Sequence, residues 1–86
     1  MIDVEMEAKV RNMLVSPDWT LAEKAVVKWQ WRLYGDFYTA LWHAIKLADD
    51  QNLERLARGF PYEVAGLRLW REGDLAVRLR AAGLMD

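Results

Sequence analysis

His43 is the only imidazole in this chain of 86 residues, and cysteine is absent. A histidine dyad, a multi-histidine metal site, a thiolate nucleophile and a cysteine zinc site are therefore all excluded within one chain. The remaining candidates for chemistry are carboxylates. Asp49 and Asp50, with Glu54 one turn on, have the acidity to attract a hard cation. They lack the alternating oxygen ligands of a calcium loop, however, and fit the start of a helix better. Asn52 is expected to cap or tie that turn to a neighbouring backbone group. Glu63, two residues after Pro61, reads as a first-turn carboxylate favoured by the helix dipole, and His43 as a solvent-facing or capping residue. No Ser/His/Asp or Ser/Lys arrangement, phosphate loop or carboxylate pair can be assembled from what remains. The expectation is a protein that is not an enzyme and uses neither metal nor cofactor.

The aromatic residues carry the functional weight instead. Five tryptophans are more than a core this small is expected to hide. Tryptophan, tyrosine and arginine dominate the energetics of protein interfaces. Val27, Trp31 and Tyr34 repeat at i, i+4, i+7, and Tyr38 and Trp42 at i, i+4 just beyond Gly35. If the two helices that carry them form an antiparallel hairpin, these five residues merge into one surface for a protein partner or for self-association. Lys24 and Lys28, with Gln30 and Arg32 near Trp31, form a basic flank. Together with Arg68, Arg71, Arg78 and Arg80 it is the alternative surface, for nucleic acid. The net charge disfavours that alternative: twelve basic against thirteen acidic residues leave −1, so no global field draws the chain to nucleic acid or to an anionic membrane.

The elements that position these residues read as helices throughout. A first helix is expected over about Val4 to Leu14, with Asp3 as N-cap and Met6, Val10, Met13 and Leu14 at helical spacing. Ser16-Pro17 predicts the start of a second helix, running to about Tyr34 and stopped by Gly35. Its main stripe is Ala22, Val26, Trp29 and Leu33. Asp36 is the expected cap of a third helix, with Phe37, Leu41, Ala44, Ile45 and Ala48 as the clearest core stripe and Trp42 and Leu47 beside it. Asp49 or Asp50 caps a fourth helix that buries Leu53, Leu56 and Ala57 and stops at Gly59. A fifth follows from Pro61 to Trp70, burying Val64 and Leu67, with Gly66 marking either a weak point or a close crossing. Asp74 opens a final turn or two with Leu75, Leu79 and Ala82 inward. No strand pattern, repeat or low-complexity stretch interrupts this series.

The segment from about Trp31 to Val64, WRLYGDFYTALWHAIKLADDQNLERLARGFPYEV, resembles a group of small phage and prophage proteins. They share a pattern of the kind G-x-F-x-T-A-L-F/W-x-A-I-x-x-A-D-x-x-N-L-x-x-L-x-x-G-F-P-x-E-V. Gly35, Phe37, Thr39, Leu41, Trp42, Ala44, Ile45, Asp49, Asn52, Gly59, Phe60 and Pro61 are among the positions that match. Asp36 departs from it, because a second glycine is common there. The match covers less than half of the chain, and it implies a viral or mobile-element origin without a particular mechanism.

Together these readings predict one all-α domain, a compact bundle of five to six short helices spanning residues 1–86. The expected role is a stoichiometric contact with a host or phage protein, as in inhibition of a host enzyme or defence system. The alternative is a small helical nucleic-acid-binding protein of a replication or regulation module. No apolar run approaches the roughly 20 residues that span a bilayer, and the N-terminus lacks the pattern of a signal peptide. A cytoplasmic location is the default expectation.

Overall fold

Thr20 and Glu23 set the first strong boundary. In the computed structural model, which describes residues 4–85, the Thr20 hydroxyl accepts from the Glu23 N–H at 3.1 Å while the Glu23 carboxylate accepts from the Thr20 N–H at 2.7 Å. This reciprocal capping box satisfies two orphan donors at once. Ser16 satisfies only one, accepting from Asp18 N–H at 3.1 Å, so Ser16-Pro17 forms a turn and does not start the second helix. Six helices result: α1 Val4–Val15, α2 Leu21–Gln30, α3 Gly35–Leu47, α4 Asp50–Gly59, α5 Pro61–Glu72 and α6 Asp74–Ala81. No strand occurs among the described residues. Asp3, the expected cap of α1, lies outside them.

The far end of α2 also differs from expectation. The chain leaves the helix at Arg32, not Gly35. Arg32 takes a left-handed φ of 53°, Arg32 N–H donates to Trp29 C=O and Leu33 N–H to Lys28 C=O, both at 3.1 Å. That is a Schellman closure with arginine in the position glycine usually fills. Gly35, with φ 78°, then begins α3, and Asp36 lies in the first turn without making a side-chain cap. Of the two expected caps of α4, Asp49 takes the role, accepting from Asn52 N–H at 2.8 Å. Pro61 opens α5. Gly73, with φ 90°, ends α5 and leads directly into α6, so Asp74 occupies the first turn and is not the cap.

The centre of the bundle is the crossing of α2 and α5, the most extensive helix pairing in the molecule. Gly66 makes it possible. A Cβ at this position would stand 2.7 Å from the carbonyl oxygen of Ala22 and 3.0 Å from a methyl of Val26. α3, α4 and α6 pack against α5, while α1 packs against α2 and α3 also touches α2. The radius of gyration, 13.0 Å, exceeds the roughly 12 Å expected of a sphere-like domain of this length, in keeping with extents of 40 × 26 × 22 Å.

Val26 and Val27 from α2, Trp42 and Ile45 from α3, and Val64 and Leu67 from α5 form the interior, with Leu75 and Leu79 closing it from α6. Trp42 is 0 % exposed. It stacks on Trp29 with ring centroids 4.6 Å apart and planes 6° from parallel, and Trp70 meets Trp29 edge-on at 5.7 Å. Such pairs add about 0.5–1.5 kcal/mol each beyond area burial. The expected core stripe of α3 is therefore half right: Leu41 and Ile45 are buried, whereas Phe37 and Ala44 face solvent. The buried arc is Tyr38, Leu41, Trp42 and Ile45, about a quarter-turn round the helix from the arc the stripe suggested. Ala82, expected inward, is exposed.

Candidate interaction surface

The five residues expected to form an aromatic surface do not come together on the outside. Val27 and Trp42 are core. Trp31 is half-buried, and its indole Nε1–H donates to the Leu84 carbonyl at 3.0 Å. Tyr38 is also half-buried, donating its hydroxyl proton to the Glu63 carboxylate at 3.0 Å. Burial pushes its phenol above the ordinary range and the nearby Glu63 charge adds to this, outweighing the opposing influence of the Trp42 indole. Of the five, Tyr34 alone is exposed, and its ring lies 5.0 Å beneath the Lys28 ammonium. The expected hairpin face fails because α2 ends at Gln30, so its last residues do not continue the helical stripe toward α3.

The alternative basic surface is similarly committed to the fold. Arg78 forms an ion pair with Glu23, which is 4 % exposed, and its guanidinium lies over the Trp19 ring at 5.2 Å. Burial raises the Glu23 carboxyl, but the Thr20 backbone and hydroxyl bonds and Arg78 outweigh it and hold the group below its usual range. Arg71 donates to the Lys46 carbonyl at 3.0 Å. Lys24 is half-buried, and Lys28 is drawn toward Tyr34. Arg68 and Arg80 are exposed.

A different apolar surface stands out on α3. Phe37 is 72 % exposed and Leu47 74 %, with the exposed alanines Ala40 and Ala44 between them. Their spacing of three, four and three residues keeps all four on one side of the helix for about 15 Å. This line runs into a shallow groove between α3 and α4 of about 520 Å³, lined by Ala44, Leu47, Ala48, Asn52, Arg55 and Leu56. Large apolar side chains left in water beside such a groove are characteristic of association surfaces. The periodicity that carries this face is present in the sequence, where the same spacing makes Phe37 and Ala44 read as core. α3 has two apolar arcs, and Trp42 in the second takes the interior because it buries the larger area against Trp29.

The chemistry-bearing residues remain dispersed. His43 is exposed on α3, Asp49 is occupied as a cap, and no group of three histidine or carboxylate side chains able to hold a metal occurs among the described residues. No protein-family model, functionally curated protein or solved structure matches this chain.

Proposed function

We propose that this chain is a non-enzymatic protein-interaction module whose contact surface is the exposed face of α3. One observation carries the reading: Phe37 and Leu47 are left in water by a fold that hides Trp42 completely. Burying either side chain against another protein would gain roughly 1.5–3 kcal/mol, a gain this fold forgoes on its own. The resemblance of residues 31–64 to phage and prophage proteins supports a stoichiometric role against a host or phage protein, such as an inhibitor of a host enzyme or defence system. A cytoplasmic location, in the host cell if the protein is viral, accompanies that reading. No helix among the described residues is long and apolar enough to cross a membrane.

Phe37→Asp tests the surface directly. Immobilised wild-type protein should retain a binding protein from bacterial lysate after nuclease treatment and at raised salt, and the Phe37→Asp variant should not. Retention that disappears with nuclease or falls steeply with salt would place function on nucleic acid instead.

A further inference from the structure

We infer that the cleft where the C-terminal ends of α1 and α6 meet is a binding site for a small aromatic carboxylate. It is separate from the contact surface read above, since no residue of α3 lines it. The cleft has a volume of about 270 Å³. Its apolar lining is Met13 and Leu84, both 4 % exposed, with Ala82 beside them. The other walls are Lys9, Asn12, Ser16 and Trp19. Lys9, Asn12 and Met13 share one side of α1 by their spacing of three and four residues. Apolar walls with a few convergent polar groups are the ordinary makeup of a small-molecule site.

What these walls leave unused is hydrogen-bond donors. Ser16 Oγ accepts from Asp18 N–H, so its own proton is free to be given. The Asn12 amide and the Trp19 indole N–H have no hydrogen-bond partner among the described residues. Lys9 meets only Glu5, at 4.0 Å, a long pair whose carboxylate side is 84 % exposed and which therefore holds the ammonium weakly. No carboxylate lines the cleft. The helix ends do not reverse this balance. Ser16 N–H closes onto Met13 C=O at 3.2 Å, and Gly83 and Leu84 N–H close onto Arg80 and Leu79 C=O at 3.1 and 2.9 Å. The Lys9 ammonium lies beside the end of α6, where a Cβ on Gly83 would stand 3.1 Å from it. Its full charge outweighs the roughly half charge of a helix terminus.

The ligand this set recognises has acceptors and one negative charge. A carboxylate fits a single ammonium, whereas a phosphate monoester would bring further charge with no partner, because Arg78 is already paired with Glu23. Trp19 makes the body of the ligand a flat ring, packed against indole and thioether. The walls are fixed in advance: the Arg78 guanidinium lies over the Trp19 ring at 5.2 Å, and Leu84 is held by Leu79 and by the Trp31 indole. Such preorganisation lowers the cost of binding. A cleft this small admits about a dozen non-hydrogen atoms, for which a dissociation constant on the order of 1 mM is expected.

Titration of the intact chain with indole-3-acetate, followed by heteronuclear NMR of the five indole N–H signals, tests the site. Trp19→Phe identifies the Trp19 signal, which should shift and saturate. Indole-3-acetamide, with the same ring and no charge, should bind about tenfold or more weakly, as should Lys9→Gln with indole-3-acetate, each having lost one charge-assisted hydrogen bond. Lys9→Arg should restore binding. Lys9 is half-exposed, so neither variant should change the melting temperature. Phe37→Asp should bind as wild type does. A Trp19 signal that does not saturate overturns the inference, and so does equal binding of the acetamide or of Lys9→Gln. Loss of binding in Phe37→Asp would place the ligand on the α3 face and overturn it as well, while protein capture through Phe37 stands or falls independently.

Discussion

The indole Nε1–H of Trp31 donates to the carbonyl of Leu84 at 3.0 Å, joining positions 53 residues apart. Both residues belong to helix endings of the same kind. Trp31 is the C-cap of α2, closed by Arg32, and Leu84 follows Gly83, whose φ of 73° closes α6 with Leu84 N–H donating to Leu79 C=O at 2.9 Å. Trp31 is thus a tie between the α2 terminus and the C-terminal segment, which replaces its expected role in partner contact. Trp31→Phe keeps most of the ring area but leaves the Leu84 carbonyl without its donor, so it should cost about 1 kcal/mol. Chemical denaturation checks this. Repeating the substitution in a chain that ends at Gly83 should show almost no further loss, because the acceptor has already gone.

Gly66→Ala should destabilise the fold even though alanine is the better helix former by about 1 kcal/mol. The added methyl would lie 2.7 Å from backbone, the Ala22 carbonyl oxygen, with the ring of Trp42 3.2 Å away on another side. Backbone cannot swing aside as a side-chain tip does, so α2 and α5 must separate. A net loss of about 1–3 kcal/mol is expected, visible as a lower melting temperature. An unchanged or raised melting point would show that the crossing has slack.

Arg32→Gly should act in the opposite direction. Arginine at φ 53° pays a conformational cost that glycine avoids, partly offset by the greater freedom glycine gives the unfolded chain. The Arg32 side chain is exposed. A gain of about 0.5–1 kcal/mol in unfolding free energy is expected from denaturant titration.

Glu23 makes stability sensitive to acid. Its carboxyl titrates below the ordinary value of 4.5 in the folded protein, so the folded state favours the ionised form. The stabilisation is complete above about pH 4.5 and is lost as pH falls through the lower, folded-state value. In Glu23→Gln that component of the acid dependence should vanish. At neutral pH the variant should be less stable by about 1–2 kcal/mol, having exchanged a charged partner of Arg78 for a neutral one. Thermal melts of both proteins from neutral pH down through and below the ordinary value of 4.5 give the comparison.

Local chemistry was sufficient to determine the helical class, a cap at Asp49 or Asp50, the Pro61 start and the burial of Val64, Leu67, Leu75 and Leu79. Each depends on a signal contained within one turn or one stripe. The Thr20–Glu23 capping box is equally local, but Ser16-Pro17 just before it offers a competing start signal, and the Gly66 crossing is readable only as one of two alternatives. Tertiary structure decided the rest. α3 offers two apolar arcs, and periodicity alone does not say which of them meets another helix. The choice was made when Trp42 found Trp29 at 4.6 Å, which turned Phe37 and Leu47 outward and created the candidate surface. Trp31 was equally undecidable from its neighbours, because its partner is the carbonyl of Leu84 at the other end of the chain. A side chain's distance from its own helix axis is set by sequence, but its solvent exposure depends on what the remaining chain brings against it.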